Sequence, residues 1–271
     1  MRRPVLLFLG LLSASLAVGS CGGEADSKPI SVPASVTQPT VAPSSDIATA
    51  PTLSPVVDTR PQYAGFGSLA PESQTLVALA RSDIEVFEAP DSTETQLTVP
   101  WTTILGTVTV LTVVDQPATD WLEVMLPVRP NGSTGFVRTA DVEMYAVGGK
   151  ILVDLGDRKL TYTIDGREIM STTIAIGTSA NPTPTGTFFV TDNVTLANPN
   201  SPWGPHALGL SARSDTITEY NGGDGIIGIH GTNNPSSIGR AASLGCVRLP
   251  NELITLLHRL VPIGTPVEIR A

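Results

Sequence analysis

Cysteine is nearly absent from this chain: its 271 residues hold two, Cys21 and Cys246, beside only three histidines. Two cysteines cannot build the disulfide framework of a small exported scaffold. No CxxC or HxxxH spacing supplies the ligands of a metal site, so no metal and no other cofactor is expected. Charged residues make up 15% of the chain and the formal net charge is −9, with no basic cluster. An acidic chain of this kind lacks the patch that nucleic acid or an anionic lipid surface would attract.

Long apolar runs are missing too, apart from one at the start. Arg2 and Arg3 precede an apolar and small-residue run from Pro4 to Val18, a pattern of a secretory leader that is too short for a comfortable membrane span. The run ends in Val18-Gly19-Ser20-Cys21, which resembles the lipobox of bacterial lipoproteins. That resemblance implies removal of residues 1–20, lipidation of Cys21, and an extracytoplasmic chain anchored to the outer face of the cell membrane beside the cell wall. Two or more acyl chains hold a protein there stably, where one does not. An ordinary secreted protein with a cysteine beside its cleavage site is the alternative.

Residues 21–73 are rich in Pro, Ser, Thr, Ala and Val, with eight prolines between Pro29 and Pro71. Such a segment buries too little apolar surface to offset its ordering entropy, and it is expected to be an extended tether. Its reach is on the order of 40 Å as a coil. The length beyond it suits about two domains.

In residues 74–146 the runs Leu76–Ala80, Ile84–Phe87, Thr107–Val114, Trp121–Leu126 and Gly135–Val137 are short and rich in Val, Thr and aromatics, with turn clusters between them. This rhythm predicts a small all-β barrel or sandwich. The stretches DWLEVMLP and TGFVRTADV resemble the tail of a bacterial SH3-like domain. Trp101 and Trp121 suit core packing better than a ligand groove.

Strand rhythm continues through residues 147–271 in KILVDL, KLTYTI, REIMSTTIAIG, FFVTDNV, ALGLS, GIIGIHG and PVEIR. Asp165-Gly166 between two alternating runs predicts a tight hairpin. Asn251 to Leu260 reads as one amphipathic helix with Leu253, Leu256, Leu257 and Leu260 on its apolar face. The half as a whole is expected to be mainly β with one packed helix.

If Cys21 carries lipid, Cys246 has no partner within the chain. A free thiol in an exported protein is exposed to oxidation, so either it is buried and inert or its chemistry is used. His230 ends the run Gly225-Ile-Ile-Gly-Ile-His-Gly231, and Cys246 follows sixteen residues later in Ser243-Leu-Gly-Cys-Val-Arg-Leu249. An imidazole that takes the thiol proton makes the sulfur a nucleophile. Gly245 permits a sharp turn, so its N–H and that of Cys246 can serve as an oxyanion hole. His258 sits near the helix C-terminus, where a partly exposed histidine complements the dipole. His206, in Pro-Trp-Gly-Pro-His, suits either a cleft wall or solvent.

The segment IHGTNNPSSIGRAASLGCVRLPNELI resembles the signature of the L,D-transpeptidase (YkuD-like) catalytic domain. NPTPTGTFFV and GPHALGLS resemble that family's preceding hairpin and substrate-facing strand, in the same order. The resemblance implies an L,D-transpeptidase-type β-sandwich with one packed helix, preceded by the SH3-like barrel. It implies Cys246 as nucleophile, His230 as base held by the Gly231 carbonyl, Ser243 and Gly245 shaping the loop, and Arg248 fixing it or meeting a substrate carboxylate. It further implies that Ser243, Arg248, Trp203 and His206 line the substrate site, with the segment from Leu196 to His206 as a lid. The expected partners are peptidoglycan stem peptides, donor and acceptor, and carbapenem-type inhibitors. Many members carry histidine between the serine and glycine of the motif, whereas this chain has Leu244. An L,D-carboxypeptidase of the same fold and a wall-binding module without catalysis remain the rival readings.

Overall fold

The computed structural model describes residues 74–220 and 223–271. The expected leader, Cys21 and the tether lie outside the described residues.

Residues 75–147 form seven strands: β1 (Thr75–Ala80), β2 (Ile84–Phe87), β3 (Thr95–Val99), β4 (Val110–Ala118), β5 (Trp121–Met125), β6 (Thr134–Arg138) and β7 (Val142–Val147). They make one antiparallel sheet in the order β3-β2-β6-β5-β4-β1-β7. Two strands were not expected. β3 is an edge strand whose residues are mostly exposed, so the polar run TQLTV lacks the apolar alternation that marks a strand. β7 runs almost into the next element, with no turn cluster to announce it. Trp121 is buried and meets Phe87 edge to face at 5.2 Å, as core packing requires. Trp101 departs from that expectation: it is 51% exposed.

The rest of the chain builds β8 (Gly149–Asp154), β9 (Lys159–Ile164), β10 (Arg167–Thr173), β11 (Ile176–Gly177), β12 (Gly186–Thr195), β13 (His206–Arg213), β14 (Ile226–His230), β15 (Ala241–Ser243), β16 (Val247–Arg248), the helix α1 (Asn251–Leu260) and β17 (Pro266–Arg270). Eight of these strands form a mixed sheet in the order β10-β9-β8-β17-β12-β13-β14-β16, and β11 pairs with β15 in a separate parallel ladder. Asp165 and Gly166 turn between β9 and β10 with φ of 48° and 76°. Those positive values at both central positions are what a type I′ hairpin needs.

The helix spans the expected residues, but its buried face is Ile254 and Leu257, continued by Val261, while Leu256 and Leu260 stay more than a third exposed. Positions 254, 257 and 261 follow the i, i+3, i+7 spacing of one helix stripe. They pack into a core with Leu208, Leu210, Ile227, Ile229 and Val247.

Period-two alternation joins the two sheets. Phe188 and Val190 of β12 face the larger core, whereas Phe189 between them is fully buried in the core of the first sheet, with Val77 and Leu111. The Tyr145 hydroxyl donates to the Ile263 carbonyl at 2.8 Å across the same junction.

Candidate active site

The site is built on the β13, β14 and β16 edge of the mixed sheet. β14 is apolar nearly throughout, as befits a strand covered on both faces. Ile229 pairs with Val247 and His230 with Arg248 in a parallel ladder. Because side chains alternate, Ile229 and Val247 enter the core, leaving Gly228, His230 and Arg248 on the opposite face. Cys246 directly precedes β16, and the Gly228 N–H donates to its Sγ at 3.4 Å. His230, Cys246, Arg248, Ser243, Leu244 and Trp203 line one cleft.

Gly231 accepts a hydrogen bond from His230 Nδ1 at 2.6 Å. A carbonyl only accepts, so Nδ1 carries the proton and the neutral ring keeps its lone pair on Nε2. The Trp203 ring lies against this imidazole, tilted by 33° with 4.5 Å between ring centroids. Burial holds the His230 pKa down to about 4, against a smaller upward pull from the Gly231 carbonyl. Burial also pushes the Cys246 thiol up, opposed by the Gly228 N–H and the Arg248 charge. Both directions favour a resting pair of neutral thiol and neutral imidazole over a thiolate and imidazolium.

The loop that presents the thiol is tied by buried hydroxyls. Ser243 Oγ donates to the Cys246 carbonyl at 2.5 Å and accepts from the Gly245 N–H at 3.1 Å. Thr183 Oγ1 donates to the Gly245 carbonyl at 2.8 Å and accepts from the Gly177 N–H at 2.9 Å. Gly245 has φ of +120°, and a Cβ there would sit 2.9 Å from Ile227 Cδ1, so only glycine fits. Two expectations bear on these bonds. The Gly245 N–H is committed to Ser243, so it is not an open oxyanion donor. Ser243 lines the cleft and is engaged within the loop, in the shaping role the resemblance implies.

Arg248 reaches the cleft with its Nε buried and without a hydrogen-bond partner among the described residues. Leu244 is 51% exposed at the same cleft. His206 is not brought to it. Its ring stacks on His258 at 3.9 Å, and Thr195 Oγ1 lies 3.3 Å from a nitrogen of each. His258 is further bound to Asn193 Oδ1 through Nδ1, so it is not merely a solvated partner of the helix dipole.

Several residues of the site carry no local signal in the sequence. Asn251 Oδ1, at the first turn of α1, accepts from the Thr232 N–H at 2.8 Å and so fixes the chain just after His230. Ser214, Ile217, Tyr220 and Gly225 line the same cleft. A second, mostly apolar pocket shares Trp203, Tyr220 and Ile226 with the first and is lined in part by Ile104 and Leu105 from the connection between β3 and β4.

Comparison with known proteins covers this half of the chain. Residues 148–269 match the family model described as the L,D-transpeptidase catalytic domain, YkuD. The chain is 37% identical over 125 residues to a Bacillus subtilis (strain 168) protein named as L,D-transpeptidase YkuD, covering 46% of this chain and 68% of that protein. It is 31% identical over 130 residues to one named as L,D-transpeptidase YqjB from the same organism, covering 44% and 69%. Among solved structures it is similar to the catalytic domain of an Enterococcus faecium L,D-transpeptidase, at 24% identity and a TM-score of 0.34, over 45% of this chain and 95% of that one. The chain therefore spans about two thirds of the length of the two Bacillus relatives.

Proposed function

Since the chain belongs to the L,D-transpeptidase (YkuD) family, we propose that it cross-links peptidoglycan stem peptides through a thioester on Cys246. The observation that carries this reading is the convergence on one cleft of Cys246, His230 with its tautomer fixed by Gly231, and Arg248, whose buried Nε has no hydrogen-bond partner among the described residues.

Cys246 Sγ attacks the carbonyl of the L,D bond between the third stem residue and the terminal D-alanine, and its proton passes to His230 Nε2. The Cys246 N–H stabilises the oxyanion. Collapse breaks the C–N bond, and the imidazolium returns the proton to the departing D-alanine amine. The thioester then meets a side-chain amine of a second stem. That nitrogen forms the new amide, its proton goes to His230, and the sulfur leaves and is reprotonated. In the resting site the ring is neutral, with Nδ1 bound to the Gly231 carbonyl and Nε2 left to accept the thiol proton.

Arg248 fits a substrate carboxylate. A buried guanidinium nitrogen without a partner is costly in the empty protein and is satisfied when an anion arrives. Trp203, on the segment 196–205, covers His230 and shields it from water. Carbapenem-type inhibitors would acylate the same sulfur. A carbonyl at Cys246 open to water would give L,D-carboxypeptidase products, and a wall-binding module would give none. The first sheet is assigned as an SH3-like module, and the leader and Cys21 as the signal and lipid anchor that place the enzyme outside the membrane. Incubation with purified tetrapeptide muropeptides tests the assignment: cross-linked dimers support it, tripeptides alone favour trimming, and unchanged substrate with intact sacculus binding favours the module.

A further inference from the structure

We infer that Arg129, carried on the first sheet, is a positioning residue for the acylation site: it holds the cleft wall formed by Ser214, Ile217 and Gly225 in the shape that accepts the donor peptide. This rests on the reading of Cys246 as the acylated nucleophile.

Arg129 lies in the turn between β5 and β6, and its guanidinium gathers acceptors from both limbs of that wall. Nε donates to Asp224 Oδ1 at 2.8 Å, Nη1 to the Ser214 carbonyl at 2.7 Å, and Nη2 to the Ile217 and Asp224 carbonyls at 3.2 and 3.3 Å. A planar fork with five donors is suited to bridging several fixed acceptors at once, which an ammonium cannot do. Its other ties are polar as well: the Ser214 N–H donates to the Gly225 carbonyl at 2.8 Å, Tyr220 and Gly223 exchange main-chain bonds of 2.9 Å, and Thr216 Oγ1 donates to Asn181 Oδ1 at 3.0 Å. Ser214 is buried and ties the near limb through its own hydroxyl, but residues 215, 216 and 218–220 are exposed and Ile217 is only half-buried. A segment without buried apolar side chains takes its shape from polar bonds and opens at low cost when they are lost.

The limbs are also pressed together at this point. A Cβ on Gly225 would lie 1.9 Å from the Ile217 carbonyl oxygen and 3.1 Å from Arg129 Nη2. The turn that carries Arg129 is itself docked on the mixed sheet. Asn131 exchanges hydrogen bonds of 2.8 Å with both the N–H and the carbonyl of Arg213 at the end of β13. Arg213 Nη2 donates back to the Pro127 carbonyl, and its Nε lies 3.3 Å from Asp224 Oδ2. A continuous set of polar contacts therefore runs from the first sheet to Ser214, Ile217 and Gly225, which line the cleft. At the far end of the wall, Ile104 from the connection between β3 and β4 reaches Gly223, whose Cβ would be 3.1 Å from Ile104 Cδ1. The first sheet is thus a working part of the acylation cleft.

The test compares the full chain with its Arg129→Ala and Arg129→Lys variants by three readouts: thermal melting, alkylation of Cys246 by iodoacetamide, and acylation by a disaccharide-tetrapeptide donor. Arg129→Ala is expected to keep its alkylation rate within about twofold, because the small reagent needs only the thiol. Its donor acylation is expected to fall at least about tenfold, chiefly through KM, as displacement of a positioning wall predicts. Arg129→Lys is expected to recover only part of the loss. Donor acylation equal to wild type in Arg129→Ala would overturn the inference, as would a parallel loss of alkylation, acylation and melting temperature. A wild-type chain that is alkylated at Cys246 but accepts no donor would instead contradict the nucleophile reading beneath it.

Discussion

Thr183→Val removes one hydroxyl and leaves the volume of the side chain unchanged. In the folded protein that hydroxyl is buried and bridges the Gly177 N–H and the Gly245 carbonyl at 2.9 and 2.8 Å. Valine keeps the packing, so no cavity forms, but it strands one donor and one acceptor away from water. Each stranded group costs about 1–3 kcal/mol, so the variant is expected to lose about 2–6 kcal/mol of stability. For a domain of this size that corresponds to a melting temperature lower by roughly 4–24 °C. The loop carrying Cys246 keeps its Ser243 tie and loses the other, so acylation by donor should fall more steeply than alkylation by iodoacetamide. Thr183→Ser separates the two contributions, since it keeps the hydroxyl and gives up a methyl group, at a cost of about 1 kcal/mol. The assays are urea and thermal denaturation followed by circular dichroism, with acylation followed by mass spectrometry. A Thr183→Val protein within about 0.5 kcal/mol of wild type, paired with a Thr183→Ser protein that is worse, would show that packing and not the hydroxyl bridge holds the loop.

Gly245→Ala forces a side chain into φ of +120° and against the buried Ile227; a loss of about 1–3 kcal/mol is expected for the backbone alone, read as a shifted denaturation midpoint together with loss of donor acylation. Alkylation of Cys246 should rise about tenfold per pH unit from pH 6 to about pH 8 without levelling, because burial raises the thiol and only the thiolate reacts. A plateau reached by pH 7 would reveal a resident thiolate and imidazolium. The His230 pKa is depressed from the ordinary 6.5 to about 4, so the unfolded chain takes up the proton first as pH falls. Its contribution to stability is complete above pH 6.5 and is lost between there and about pH 4. His230→Asn should flatten that part of the stability profile.

What the sequence made legible was local. The order of His230-Gly231 and Ser243-Leu-Gly-Cys246 names the candidate reacting groups by residue type. Asp165-Gly166 and the Asn251–Leu260 helix follow from turn chemistry and periodicity. The illegible parts depend on register and tertiary approach. Nothing in Arg129 or Asn131 announces that a turn of the first sheet will meet residues 213–225, about ninety positions away, since an arginine beside a proline reads equally well as solvated. His206 sits one strand end from Ala207, which pairs with His230, yet its ring turns to His258 because Thr195 and Asn193 lie on that side. Gly245 was readable as a required glycine, but the use of its N–H was not, because the Ser243 hydroxyl reaches it only once the loop has closed.

The central claim is that Cys246 carries the acyl group, and intact-protein mass spectrometry tests it most directly. The wild-type chain, Cys246→Ser and His230→Ala are incubated with a tetrapeptide donor or a carbapenem, and any adduct is mapped by proteolysis. The account predicts a single adduct on Cys246 in the wild type, none in Cys246→Ser, and slowed formation in His230→Ala. An adduct that persists in Cys246→Ser, or that maps to another residue in the wild type, would contradict it.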